Sequence, residues 1–91
     1  MNSVDNKYIK FYAIILHNTK KFTSDEKFLN ELKNFEVVIK NNYINNEICN
    51  KMINYCNQYK KNVKDLQFKD QIDIIICFIE LIYEYKRCYG N

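Results

Sequence analysis

The chain has 91 residues, which make a single domain, residues 1–91, with one modest core. Proline and tryptophan are absent and there is one glycine. The tight hairpin turns of a many-stranded sandwich or barrel therefore lack their usual residues, whereas a helical bundle needs only short polar links. The net charge of +3 is small for a dedicated nucleic-acid binder. The longest apolar runs, Phe11–Leu16 and Ile74–Ile79, span six residues where a membrane helix needs roughly 20.

Residues 1–19 hold the first predicted helix, with Ser3 or Asp5 as its cap. Val4, Tyr8, Phe11, Tyr12 and Ile15 form its apolar stripe, with Ile9, Ala13 and Leu16 beside it. Lys7, Lys10, His17 and Asn18 face water. The aromatic and branched residues of Tyr8–Leu16 leave a strand as the alternative for that span. After a link at residues 18–23, Thr23 with Glu26 three positions on reads as a capping box, and Ser24 is the competing cap. The second helix then runs to about Lys40 along Phe28, Leu32, Phe35 and Ile39, with Leu29 and Val38 alongside.

Asn41, Asn42 and Tyr43 form the next link, since asparagine tolerates the left-handed backbone that ends a helix without glycine. Asn45 or Asn46 caps the third helix, which occupies residues 44–62. Its apolar line is Ile48, Met52, Tyr55 and Tyr59, with Lys60 and Lys61 at the dipole's negative end. Asp65 starts the last helix and draws Leu66 and Phe68 into it.

The stretch Asp70–Gly90 organises the rest. At 3.6 residues per turn its polar residues, Asp70, Asp73, Cys77, Glu80, Glu84 and Arg87, fall on one narrow line. The remainder of the circumference is apolar, which describes a buried helix with one wet edge. Gly90 stands where a C-terminal cap would. The expected fold is all-α: a small antiparallel bundle of about four helices, the C-terminal one most buried.

The chain offers little for catalysis or metal binding. Cys49 and Cys56 would lie about 10 Å apart on one helix, and Cys77 and Cys88 about 16 Å apart. Zinc ligands converge on bonds of about 2.3 Å, so the expectation is four small, buried, reduced core residues, with no metal and no cofactor. His17 is the single histidine, and Ser3 and Ser24 are the only serines. A nucleophile, a base and a third orienting group are not indicated, and no enzymatic activity is expected. The acidic line Asp73, Glu80, Glu84 lacks the Glu-x-x-His pairs of a di-iron bundle and reads as a wet edge.

Two binding readings remain. Tyrosine suits protein interfaces because it is large and amphipathic, and Tyr83, Tyr85 and Tyr89 crowd one helix end. With Glu80 and Glu84 they form the expected partner-binding set of a small non-catalytic inhibitor or regulator that acts by occupying a partner protein's surface. Because three short helices leave part of the last one uncovered, a homodimer is also expected. The alternative is nucleic-acid binding through the third helix and its flank, using Asn50, Lys51, Asn54, Lys60, Lys61 and Lys64. Asparagine reads adenine and lysine pairs with phosphate. A polar link before this helix also allows a helix-turn-helix. More than half the chain is Ile, Asn, Lys, Tyr or Phe, residues with A/T-rich codons, so an A/T-rich genome accounts for much of the Asn and Lys content. Such genomes include those of low-GC bacteria, their phages, eukaryotic parasites and insect viruses. The N-terminus lacks the form of a signal peptide, and the expected location is cytoplasmic, in a host's cytoplasm if the chain is viral.

Overall fold

The computed structural model describes residues 6–41 and 43–89. They form four helices: α1 (Asn6–Thr19), α2 (Glu26–Lys40), α3 (Asn46–Lys60) and α4 (Leu66–Tyr89). No strand occurs among the described residues. The Tyr8–Leu16 span is helix, because Tyr12, Ile15, Leu16 and Thr19 all reach the core from one side. A strand would divide such a set between two faces. The expected caps Ser3, Asp5 and Gly90 lie outside the described residues, as do Val4 and Asn42.

Each helix runs antiparallel to its neighbours. Tyr8 near the start of α1 meets Tyr85 near the end of α4, with ring centroids 5.3 Å apart. At the opposite ends of the same pair, the Gln71 amide of α4 donates to Ile15 O of α1. The α3–α4 pair is closed by Lys60 on Asp73 at 2.7 Å. Helix α4 packs along both α1 and α3, and α1 also packs on α2. Helix α4 supplies more of the core than any other helix, including the fully buried Ile72, Ile75, Ile79 and Ile82. Each such side chain stabilises the fold by about 1.5–3 kcal/mol relative to exposure.

The start of α2 differs from the expected capping box. Asp25, not Thr23 or Ser24, is the N-cap. Its Oδ1 accepts from the backbone N–H groups of Lys27 (3.1 Å) and Phe28 (3.2 Å), while Thr23 Oγ1 accepts from the Asp25 N–H. The other carboxylate oxygen accepts from the Tyr59 hydroxyl of α3 at 2.8 Å. A hydroxyl selected the cap from across the bundle, because only a carboxylate offers two oxygens. These bonds, led by that from Tyr59, hold the Asp25 carboxyl below its ordinary range. Asn41 ends α2 with φ −94°, without the expected left-handed backbone, and its Nδ2 donates to Val37 O. Asn45, one of the two caps the sequence offers, caps α3 through the Ile48 N–H, and Asp65 caps α4 through Gln67 and Phe68 as the sequence indicates.

Aromatic rings fill both ends of the bundle. Phe28 stacks on Tyr59 at 3.9 Å and 4°, and Phe22 stacks on Phe68. At the other end Phe78 packs among Tyr8, Phe11 and Tyr12. Among the described residues three polar side chains are buried. The Thr19 hydroxyl donates to Ile15 O and lies beside the Gln71 amide, and Glu36 approaches Lys40 at 3.9 Å. No buried side-chain N or O among the described residues lacks a partner.

Candidate functional site

Helices cover one another incompletely, and the apolar stripes of α1 and α4 are broader than the contact between them. Phe11 (53% exposed), Ile14 (56%), Ile74 (49%) and Leu81 (54%) stand in the open along the seam of the two helices. They border a groove of about 420 Å³ that also takes in Cys77 and the edge of Phe78. A smaller groove of about 340 Å³ runs between α2 and α3, over Phe35, Val38, Ile48 and Met52. Soluble chains tolerate single exposed apolar residues, whereas these four share one groove.

Two sequence expectations are corrected here. Phe11 does not belong to the buried stripe of α1, and α4 is not buried around its whole apolar circumference. Along α4 the residues Asp70, Ile74, Cys77 and Leu81 step by four, three and four, so the two apolar members share the wet line. That spacing was the available signal. The cysteine expectation holds for half the set: Cys49 and Cys56 are buried, while Cys77 and Cys88 are exposed. Burial pushes the Cys49 thiol up to about 11 and the Cys56 thiol up to about 12. Both stay protonated and unreactive near neutrality.

The groove has opposite charges on its two edges. Lys7 and Lys10 flank it on α1, in a shallow extension shared with Phe11 and Ile14. The half-buried Asp73 lines it on α4, where Asp70, Glu80 and Glu84 are exposed. Asp73 is tied to Lys60, and Glu84 accepts from Arg87 at 3.0 Å.

Among the residues read as partner-binding, Glu80 and Glu84 are exposed on this edge. Tyr83 and Tyr85 are half-buried and do not share a face, because two helical steps turn the chain by about 200°. Tyr85 packs on Tyr8 of α1, whereas Tyr83 packs against the core. Tyr89 ends α4, and its side chain lies outside the described residues.

The nucleic-acid set also divides. Asn50 and Asn54 are exposed, and with Asn46, Asn57 and Lys61 they make one line along α3. Lys51 is exposed and stands 3.9 Å from Glu47, Lys60 is committed to Asp73, and Lys64 is exposed in the link to α4. Helices α2 and α3 lie side by side, with Phe28 against Tyr59 at one end and Val38 near Ile48 at the other. A helix-turn-helix crosses its two helices at about 90–120°, so this pair does not form one.

His17 is exposed in the last turn of α1. No group of three or more His, Cys, Asp or Glu side chains among the described residues is arranged to hold a metal ion. No described helix is long and apolar enough to cross a membrane. No protein-family model matches the chain, and neither a curated protein nor a solved structure shows significant similarity to it.

Proposed function

We propose that this chain is a non-catalytic protein-binding module, an inhibitor or regulator that acts by covering a partner protein's surface. The observation that carries this reading is the exposed strip of Phe11, Ile14, Ile74 and Leu81, set in a groove with charged edges. An apolar centre with a polar rim is the usual anatomy of a protein interface. The strip stands on the helices α1 and α4 and not on loops, which favours binding, since little backbone order remains to be imposed on association. The test is affinity capture with nuclease-treated lysate of the source cells, comparing the wild type with Leu81→Asp and Ile14→Asp. A stoichiometric protein held by the wild type and lost by both variants supports the reading. Capture that neither substitution weakens rejects the groove as the binding surface.

A second reading, nucleic-acid binding, is favoured by one observation: the exposed line of Asn46, Asn50, Asn54 and Asn57, with Lys61 at its end. It requires affinity for DNA or RNA that falls steeply with salt, and Asn50→Ala with Asn54→Ala should weaken it. Absent or salt-independent binding rejects it.

A further inference from the structure

The groove between α1 and α4 is self-complementary, and we infer that its occupant is a second copy of this chain. This rests on the reading of the groove as a protein-binding surface and makes a second copy its occupant in the absence of any other partner. The argument is from charge. The α1 edge carries Lys7 and Lys10, and the α4 edge carries Asp70, Asp73, Glu80 and Glu84 against one cation, Arg87, with Asp73 paired to Lys60 of α3. Two such faces can meet about a two-fold axis in two simple ways. If the axis crosses the helices, α1 meets α1 and α4 meets α4, which sets lysine against lysine and carboxylate against carboxylate. If the axis runs along the helices, α1 of each copy meets α4 of the other, and both edges meet opposite charge.

The second arrangement also aligns in level. Within one chain Tyr8 packs against Phe78 and Tyr85, so Lys7 and Lys10 stand at the height of Glu80 and Glu84. An axis parallel to the helices preserves height, so these lysines face the same two glutamates of the other copy at both seams. Glu84 is already held by Arg87, which leaves Glu80 the larger share. The strip of Phe11, Ile74 and Leu81 lies near the axis and meets its own counterpart, the isologous contact of a symmetric dimer. With extents of 41 × 21 × 19 Å, a whole long face of the molecule sets an upper limit of roughly 800 Å² per copy, so the interface is at most of standard size.

The experiment measures mass by sedimentation equilibrium across a concentration series, with helicity checked by circular dichroism. The wild type is expected to be a dimer at micromolar concentration. Lys7→Glu with Lys10→Glu makes both edges acidic, and Glu80→Lys with Glu84→Lys makes both edges basic. Each double variant should remain helical and dimerise at least about tenfold more weakly, since every seam becomes repulsive. An equimolar mixture of the two should form a heterodimer, since each seam is then again a pair of opposites. A wild type that is monomeric at millimolar concentration overturns the inference, as do double variants that dimerise like the wild type or a folded mixture that stays monomeric. In those cases groove-dependent capture of a different protein would leave the protein-binding reading standing. If Leu81→Asp leaves both capture and mass unchanged, both fall together.

Discussion

At the residue scale the cysteines separate into two chemical kinds. Cys77 and Cys88 are open to solvent, and Cys49 and Cys56 are buried on the inner side of α3. A thiol reagent should therefore label Cys77 and Cys88 quickly in the monomer, Cys77 more slowly once a second copy covers the groove, and the other two only as the chain unfolds, a count that mass spectrometry reads directly. The buried pair also sets the response to alkali. Both folded pKa values are raised, to about 11 and about 12, from an ordinary 9.0. The unfolded chain thus releases these protons first, so their contribution is complete below about pH 9 and is lost as pH rises towards 12. The Tyr12 hydroxyl acts in the same direction, because burial raises it well above its ordinary value. Chemical denaturation at pH 7 and pH 10 should give lower stability at the higher pH. Mutating Cys49 and Cys56 to alanine should flatten that difference. Tyr12 also donates to Leu32 O at 2.8 Å within the core, and Tyr12→Phe should cost about 1 kcal/mol in a urea titration. The sequence separated neither cysteine pair nor the buried knot of Thr19 and Gln71. Exposure of one residue on a helix depends on where the neighbouring helices lie, which spacing along one helix does not encode.

At the scale of the element, the helices were legible where an apolar stripe and a cap agreed. Helix α3 shows this in part: Asn45 is one of the two caps the sequence offers, while the buried line is Cys49, Met52 and Cys56, and Ile48, Tyr55 and Tyr59 of the expected stripe are half-buried. Asn45→Ala should cost about 1 kcal/mol, the usual worth of such a cap. At α2, three successive good caps, Thr23, Ser24 and Asp25, competed, and local rules could not rank them. The Tyr59 hydroxyl, 34 residues away, favours Asp25, and a bond of that sequence separation leaves no local trace. Asp25→Ala should consequently lower the melting temperature more than Asn45→Ala, because it removes a cap and a tie between α2 and α3 together. The tie also gives an acid response. The Asp25 carboxyl is held below its ordinary value of 3.8, so its contribution is present above that pH and lost as pH falls through the folded value. Tyr59→Phe removes the largest cause and should reduce the acid sensitivity of the melting temperature.

At the scale of the whole molecule, the antiparallel four-helix fold followed from helical periodicity and from the lack of turn-forming residues. The open face did not. A stripe of apolar residues says that something covers it, but not whether the cover comes from the same chain. Helix α4 packs along α1 and α3, and the side of it that faces neither carries the exposed Ile74 and Leu81. Substitutions should report this difference. Ile79→Ala, inside the core, should cost about 2–5 kcal/mol, whereas Leu81→Asp, two residues away, should change the stability of the isolated chain by no more than about 0.5 kcal/mol. The position of α4 also bears on how the protein is made. The helix that carries the largest share of the core is the last of the four to leave the ribosome. At about 5–20 residues per second, its 24 residues take about one to five seconds to add. For that interval the apolar sides of α1 and α3 exist without the surface they are shaped to meet. A nascent chain of this kind presents a holdase with its best opportunity just before it completes its core.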